Sequence, residues 1–380
     1  MGLDFTLSAT FYMVSNVPAL EHRLLSVPKI RMHYSALKNL SPAYFTLVMG
    51  TGVISISAEL LHLKFLASVL LGLNIAFYSI LWIMNIGRVL RYPSEMFADF
   101  FNVQKGSGFL TMVAGSCVLG SQFVILENQT ITAGLLLGLA VILYLTLNYG
   151  LLTRFMIQKH KPGLINGISG GWLLHIIAPQ SIAILILLLD IHWSFMLRAE
   201  FDFIALSLWL LGGMLYIWVM VLIFYRMIFL DFLPEHLHSS YWSNMGAMAI
   251  STLAGSLLVV NGESAPFLHP FLPFIKGFTL FYWAGGSWWI PLLIILGFWR
   301  YVLRKFPLRY DDSYWAMVFP LGMYSLATLH MAHSLDLHFL FPLAHASFFL
   351  ALTAWCLTFL GMLYGFLRIS HQKIFHHNGD

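Results

Sequence analysis

The chain has 380 residues, of which 59% are hydrophobic and only 9% carry a charge; mean hydropathy is +0.80 and formal net charge is +4. Soluble domains carry about 25% charged residues, so this composition excludes a soluble globular protein. The basic balance comes with no DNA- or RNA-reading motif, which excludes a nucleic-acid partner as its cause.

In chain order, residues 1–40 are weakly patterned and read as a cytoplasmic N-terminal segment. Its opening MGLDFT fits the myristoylation pattern, and IRMHYSALKNL reads as an interfacial helix leading into the membrane. No cleavable signal is evident. From Pro42 onward, nearly uncharged runs of at least ~18 residues recur, each long enough to cross a bilayer as a helix. Ten are predicted, at 42–62, 65–87, 107–126, 131–153, 164–189, 203–229, 241–261, 272–299, 313–333 and 339–367. The seventh and ninth are interrupted by Gly and Pro, which membrane helices tolerate. The membrane domain is thus 41–368, and 369–380 is expected to be a solvated, disordered cytoplasmic tail.

Loop charge sets the orientation. With both termini in the cytoplasm, 17 of the 20 Lys and Arg residues fall on the inner side, and only Lys64, Arg198 and Lys276 fall outside. That follows the positive-inside rule and predicts a multi-pass protein of the cytoplasmic membrane. Cys117 and Cys356 lie within spans and read as small buried apolar residues rather than a disulfide or a metal site.

The odd-numbered spans share a plan. Each opens on an aromatic anchor (Phe45, Phe109, Trp172, Trp242 and Trp315), and the anchors lie roughly 63–73 residues apart. Within seven residues follows a helix-loosening residue: Gly50, Gly115, Pro179, Gly246 or Pro320. A fixed period implies repeated structural units. The even spans are bulky and apolar, suited to face lipid. The expected fold is an all-α integral membrane protein, ten transmembrane helices as five quasi-symmetric hairpins around a central pore.

Only the ninth span places a bulky ring, Phe319, directly before its proline. Pro320 bends the helix and frees a carbonyl, which lipid tolerates only where the backbone is buried or lines a cavity. Phe319 is therefore a candidate plug. Counting four residues from each anchor gives a layer of Met49, Val113, Ile176, Gly246 and Phe319. Hydroxyls at Thr51, Ser55, Ser116 and Ser251, with His175, are further candidates for the lining. Charge is nearly absent from these spans, which favours neutral groups and helix starts that hold an anion weakly.

MGTGVIS, GSCVLGS and YWAMVFPLGMYSLAT, from the first, third and ninth spans, resemble the tellurite-resistance/C4-dicarboxylate transporter family. That family includes malate permeases, sulfite exporters and slow anion channels, and the resemblance covers about residues 40–368. It implies one pore per protomer, assembly as homotrimers, and occlusion by the phenylalanine before the ninth-span proline, here Phe319. Small anions of the chloride, nitrate, sulfite, malate or tellurite class are the expected cargo, moved channel-like. The alternative is a proton-coupled carrier of C4-dicarboxylates, sulfite or tellurite; such a carrier is expected to place Arg or Lys in its passage, and the nearest is Arg226. A more distant alternative is a membrane metalloenzyme built on His330 and His333, with Asp336, His338 and His345 nearby. No hydrolase, nucleotide-binding or HExxH motif is present, so no catalytic residue, cofactor or resident metal is expected.

Overall fold

The computed structural model describes residues 35–193, 198–262, 265–308 and 310–377. The myristoylation match and most of the 1–40 segment lie outside them, and of the expected interfacial helix only the turn Ser35–Lys38 is described. All regular structure among the described residues is helical. Ten long helices dominate: α1 Thr46–Leu60, α2 Lys64–Arg91, α3 Thr111–Glu127, α4 Thr130–Ile157, α5 Leu174–Trp193, α6 Arg198–Phe229, α7 Ser243–Gly262, α8 Leu272–Phe298, α9 Trp315–Ser334 and α10 Phe341–His377. Nine of the ten are long and apolar enough to cross a membrane. The exception is α9, whose 20 residues are diluted by Pro320, Tyr324, His330 and His333 yet include no Asp, Glu, Lys or Arg.

Parity sorts the helices into two layers. The membrane-length segments holding α1, α3, α5 and α7 are 78–94% buried, whereas those of the even helices are 22–44% buried. The odd helices form a closed ring, α1 against α3, α5, α7 and α9 in turn, with α9 returning to α1. Each even helix packs on its hairpin partner and touches the next inner helix round the ring. Exposed Ile, Leu, Phe and Trp side chains cover the outer layer, as a surface solvated by lipid requires.

Every inner helix is entered through a 3-10 turn: Pro42–Phe45, Gly106–Leu110, Gly170–Leu173, Ser239–Trp242 and Asp312–Tyr314. These five turns form a second closed ring beneath the first. Local chemistry starts them. Ser41, Ser169 and Asp311 accept hydrogen bonds from the amides of Ala43, Gly171 and Ser313 at 3.4, 3.3 and 2.7 Å, as N-cap side chains do. Close approach selects glycine at Gly170, where a Cβ would lie 2.1 Å from the Ser240 carbonyl oxygen of the next turn.

Four details differ from the sequence reading. Three of the five aromatic anchors act as buried wedges more than as interface residues: Phe45 and Trp315 are fully buried and Phe109 nearly so, whereas Trp172 and Trp242 are half-buried. Phe45 packs edge-on against Tyr78 and Trp82, and Trp315 against Trp355, tying inner helices to outer ones. The fifth span begins later than 164, because the glycine-rich run 167–171 separates a short turn, Leu164–Gly167, from α5. The last helix continues to His377, since no Gly or Pro interrupts 366–377. Cys356, read as buried, is exposed on the outer layer, whereas Cys117 is buried.

Candidate functional site

Inside the ring, the C-terminal halves of the inner helices line a cavity of about 30 Å³, room for about one water. Its lining follows helical spacing: Val53 and Ile56 from α1, Cys117 and Ser121 from α3, Ser181, Ile184 and Leu188 from α5, Ile250, Leu253 and Leu257 from α7, and Met323, Leu326 and His330 from α9. Residues three and four apart share a helix face. One turn toward the N-termini, the same faces carry Met49, Val113, Ile177, Gly246 and Phe319. All five are buried, Phe319 with 2% of its surface accessible. None of the five lines the cavity.

Four members of the layer coincide with the one counted from the anchors. In α5 the stripe through Ser181 and Ile184 passes through Ile177, and Ile176 is rotated from it by about 100°. Phe319 lies on the axial face of α9 by two independent contacts. Thr328, half a turn away in phase, accepts a hydrogen bond from Trp283 Nε1 of the outer layer at 3.0 Å. On either flank, a Cβ added at Gly50 would sit 3.1 Å from Val318 Cγ1, and one at Gly246 would sit 2.8 Å from Pro320 Cγ. Gly115 likewise receives the Phe45 ring, at 3.4 Å from such a Cβ. These glycines let inner helices approach one another, and Pro179 and Pro320 both lie inside their helices.

The hydroxyls expected in the lining turn elsewhere. Thr51 Oγ1 accepts from Trp355 Nε1 at 2.9 Å, and Ser55 donates to the Ala67 carbonyl at 2.8 Å. Ser116 lies 2.7 Å from the Met112 carbonyl and 2.8 Å from the Tyr78 hydroxyl. Ser251 donates to the Ala247 carbonyl within its own helix. His175 is held between Asn148 Oδ1 at 2.7 Å and Ser107 Oγ at 3.2 Å. Buried polar groups in lipid must find partners, and here the partners of Thr51, Ser55, Ser116 and His175 lie on other elements, so these side chains hold the layers together. The polar groups on the cavity are instead Ser121, Ser181 and His330. Both serines donate to carbonyls four residues back, Cys117 at 2.9 Å and Ile177 at 2.8 Å. Continuing the anchor register reaches Ser121 two turns beyond Val113 and His330 three turns beyond Phe319, but misses Ser181, which lies on the stripe of Ile177 and not of Ile176.

No Asp, Glu, Lys or Arg lines the cavity. The five inner helices run parallel, so their N-termini converge at the ring of 3-10 turns. Each helix start carries roughly half a positive charge, and five together make that mouth attractive to anions. Two carboxylates modulate it. Burial and the neighbouring Asp311 raise Asp312 to about 6. Asp311 is also opposed by burial, but hydrogen bonds from Ser313 and Asp312 outweigh that and keep its carboxyl below the ordinary range.

The histidines at the far end do not converge. His330 faces the cavity, whereas His333 and His338 lie against the Phe341 ring at 4.7 and 5.4 Å. His345 Nδ1 is 2.6 Å from the Phe341 carbonyl. Among the described residues no group of three or more His, Cys, Asp or Glu is placed to hold a metal. A larger groove of about 600 Å³ lies away from the axis, on the outer wall between α6 and α8, and its lining is almost wholly apolar.

Two relatives align with most of the chain. The uncharacterized transporter MJ0762 of Methanocaldococcus jannaschii is 27% identical over 308 residues, covering 79% of this chain and 87% of that protein. A second transporter of the same organism, MJ0576, is 26% identical over 306 residues, 79% of this chain and 85% of that protein. The uncharacterized membrane protein Rv1735c of Mycobacterium tuberculosis is 33% identical over 150 residues, 40% of this chain and 76% of that protein. A family model described as voltage-dependent anion channel matches residues 39–363, which takes in all five inner helices and most of the outer layer. The chain is a multi-pass membrane protein that belongs to the voltage-dependent anion channel family.

Proposed function

We propose that the protein passes small monovalent anions along the axis of the inner ring, channel-like, with Phe319 as the gate. The observation that carries this reading is the stripe Phe319–Met323–Leu326–His330, which runs from a closed layer into a cavity with no charged lining. A neutral passage with helix starts at its mouth attracts an anion without holding it tightly, which conduction needs. Pro320, beside the ring, leaves the Ala316 carbonyl without its helical donor, so α9 can change its bend where the plug sits. Protomers assemble as trimers with one pathway each, in the cytoplasmic membrane with both termini inside; the family resemblance supports the first and the loop charges the second.

A second reading rests on His330, a titratable group on the cavity: a proton-coupled exporter of sulfite, tellurite or a C4-dicarboxylate such as malate. Proteoliposome flux separates the two. Chloride, nitrate, sulfite, malate and tellurite are each measured with and without a pH gradient, for wild type and Phe319→Ala at equal reconstitution. Nitrate or chloride current independent of the gradient, raised at least about tenfold in Phe319→Ala, is expected if the plug contributes about 1.4 kcal/mol or more to the barrier. Uptake that saturates with one substrate and requires the gradient would overturn the channel reading, and an unchanged flux in Phe319→Ala would overturn the gate.

A further inference from the structure

Two arginines near the mouth have no acidic partner. Arg226, in the last turn of α6, is 5% exposed. Arg300 belongs to the π-helical turn Trp299–Leu303 that follows α8. Among the described residues neither forms an ion pair; the ion pairs present involve Lys38, Arg88, Lys105 and Arg198. Arg226 Nη1 donates to the Tyr241 hydroxyl, and its guanidinium lies 5.8 Å from the Phe232 ring and 5.9 Å from the Tyr241 ring. Arg300 Nη1 donates to the Leu237 carbonyl, with its guanidinium 4.2 Å from the Phe306 ring and 5.0 Å from the Tyr301 ring. The Nε of each is buried without a hydrogen-bond partner.

Both cations therefore reach the same short segment, 237–241, from two different outer helices. That segment leads into the Ser239–Trp242 turn of the mouth ring, whose N-cap, His238, supplies no side-chain cap. Aromatic faces and one hydrogen bond each do not replace a counter-ion. A buried cation that lacks one is strongly unfavourable, and Arg226 is buried whereas Arg300 is half-buried. π-turns recur at functional sites, since they trade backbone regularity for side-chain placement. The other charged and titratable groups facing the segment are few. His238 is pushed below its ordinary pKa by burial and then by Arg300 and Arg226, with Asp311 acting against them, so it adds no full charge near neutral pH. His236 also faces it, and Asp311 is exposed.

We infer that Arg226, Arg300 and the uncapped start of the Ser239–Trp242 turn form a binding site for a small inorganic anion at the mouth of the ring. It deepens the proposed function, because it makes this site the point where the permeating anion is recruited. Two orphan Nε–H donors and open helix-start amides suit a halide or a planar oxyanion such as nitrate.

Binding is tested apart from transport. The thermal midpoint of the purified protein in detergent is followed as nitrate replaces gluconate at constant ionic strength. A saturable rise is expected for wild type, absent in Arg300→Gln and weakened in Arg300→Lys, which keeps the charge and guards against misfolding. No saturable rise in wild type, or the same rise in a folded Arg300→Gln, would overturn the site. In a Phe319→Ala background, Arg300→Gln is expected to raise the nitrate concentration for half-maximal flux about tenfold, the loss of one charge-assisted hydrogen bond. An unchanged half-maximal concentration in an open Phe319→Ala protein would sink the recruiting role and leave the channel reading standing. A nitrate-dependent midpoint that needs Arg300, in a protein that Phe319→Ala does not open, would keep the site and remove the gate.

Discussion

The direction of the Phe319 ring is set by its neighbours in the chain. Val318 lies against Gly50 and Pro320 against Gly246, which leaves the ring facing the axis. The cavity beyond it, about 30 Å³, is far too small to receive a phenyl group, so under the proposed gating role a change of rotamer alone would not open the pathway. Either α9 moves or the ring is removed, and burial of the ring contributes about 2–3 kcal/mol to the closed arrangement. At the mouth, Asp312 makes a second residue-scale prediction. Its carboxyl is raised from 3.8 to about 6, so the folded protein binds a proton more tightly than the unfolded chain does. Its contribution to stability is full below about 3.8 and is lost as pH rises through about 6. Ionisation also adds a second carboxylate beside Asp311, facing Tyr44 and Tyr310. Anion flux is expected to rise as pH falls through 6, and Asp312→Asn should abolish that step and hold flux high at pH 7.5. A step of the same size in Asp312→Asn would show that another group titrates.

At the level of helices, α9 is clamped between two glycine faces, and replacing either should move it. Gly246→Leu adds bulk where a Cβ alone would lie 2.8 Å from Pro320 Cγ. Overpacking of this kind costs about 1–3 kcal/mol, and a lower unfolding midpoint in detergent is the expected outcome. An unchanged midpoint would mean that α7 and α9 are not in firm contact. The alternation of layers was legible in the sequence, because a helix with lipid on one side must be bulky there while a ring helix needs small residues on both flanks. The phase of individual side chains was less so. Thr51 and Ser116 look like pore hydroxyls in sequence, but the same small polar residues serve equally well as hydrogen-bond partners for Trp355 and Tyr78. Phe45 and Trp315 resemble interface anchors for a similar reason: an aromatic ring at a helix start suits headgroups and a buried wedge alike.

For the molecule as a whole, parallel inner helices give the ring a polarity, and the loop charges predict that its N-terminal mouth faces the cytoplasm. Single-cysteine labelling checks this in a Cys117→Ser, Cys356→Ser background. Lys305→Cys is expected to react with an impermeant reagent only from the cytoplasmic side, and Lys276→Cys only from outside; the opposite pattern would invert the protein and place the cationic mouth outside. The span count and its alternation could be read from charge and length because the bilayer imposes both. The arginine pair could not, since Arg226 and Arg300 are 74 positions apart in the sequence and are related only through their separate contacts with Tyr241 and Leu237.

The hydrogen bond from Trp355 to Thr51 spans 304 positions and joins the last hairpin to the first. A ribosome making this chain must therefore finish almost all of it before the ring has a fifth side. Until then α1 and α7 present glycine-lined, hydroxyl-bearing flanks to lipid, where Thr51 has no indole to bond. Products that stop before residue 315 should be left as open arcs, prone to the wrong partners and to membrane proteolysis, even though they retain eight of the ten long helices. The order of synthesis thus makes closure of the pathway one of the last events in the assembly of this protein.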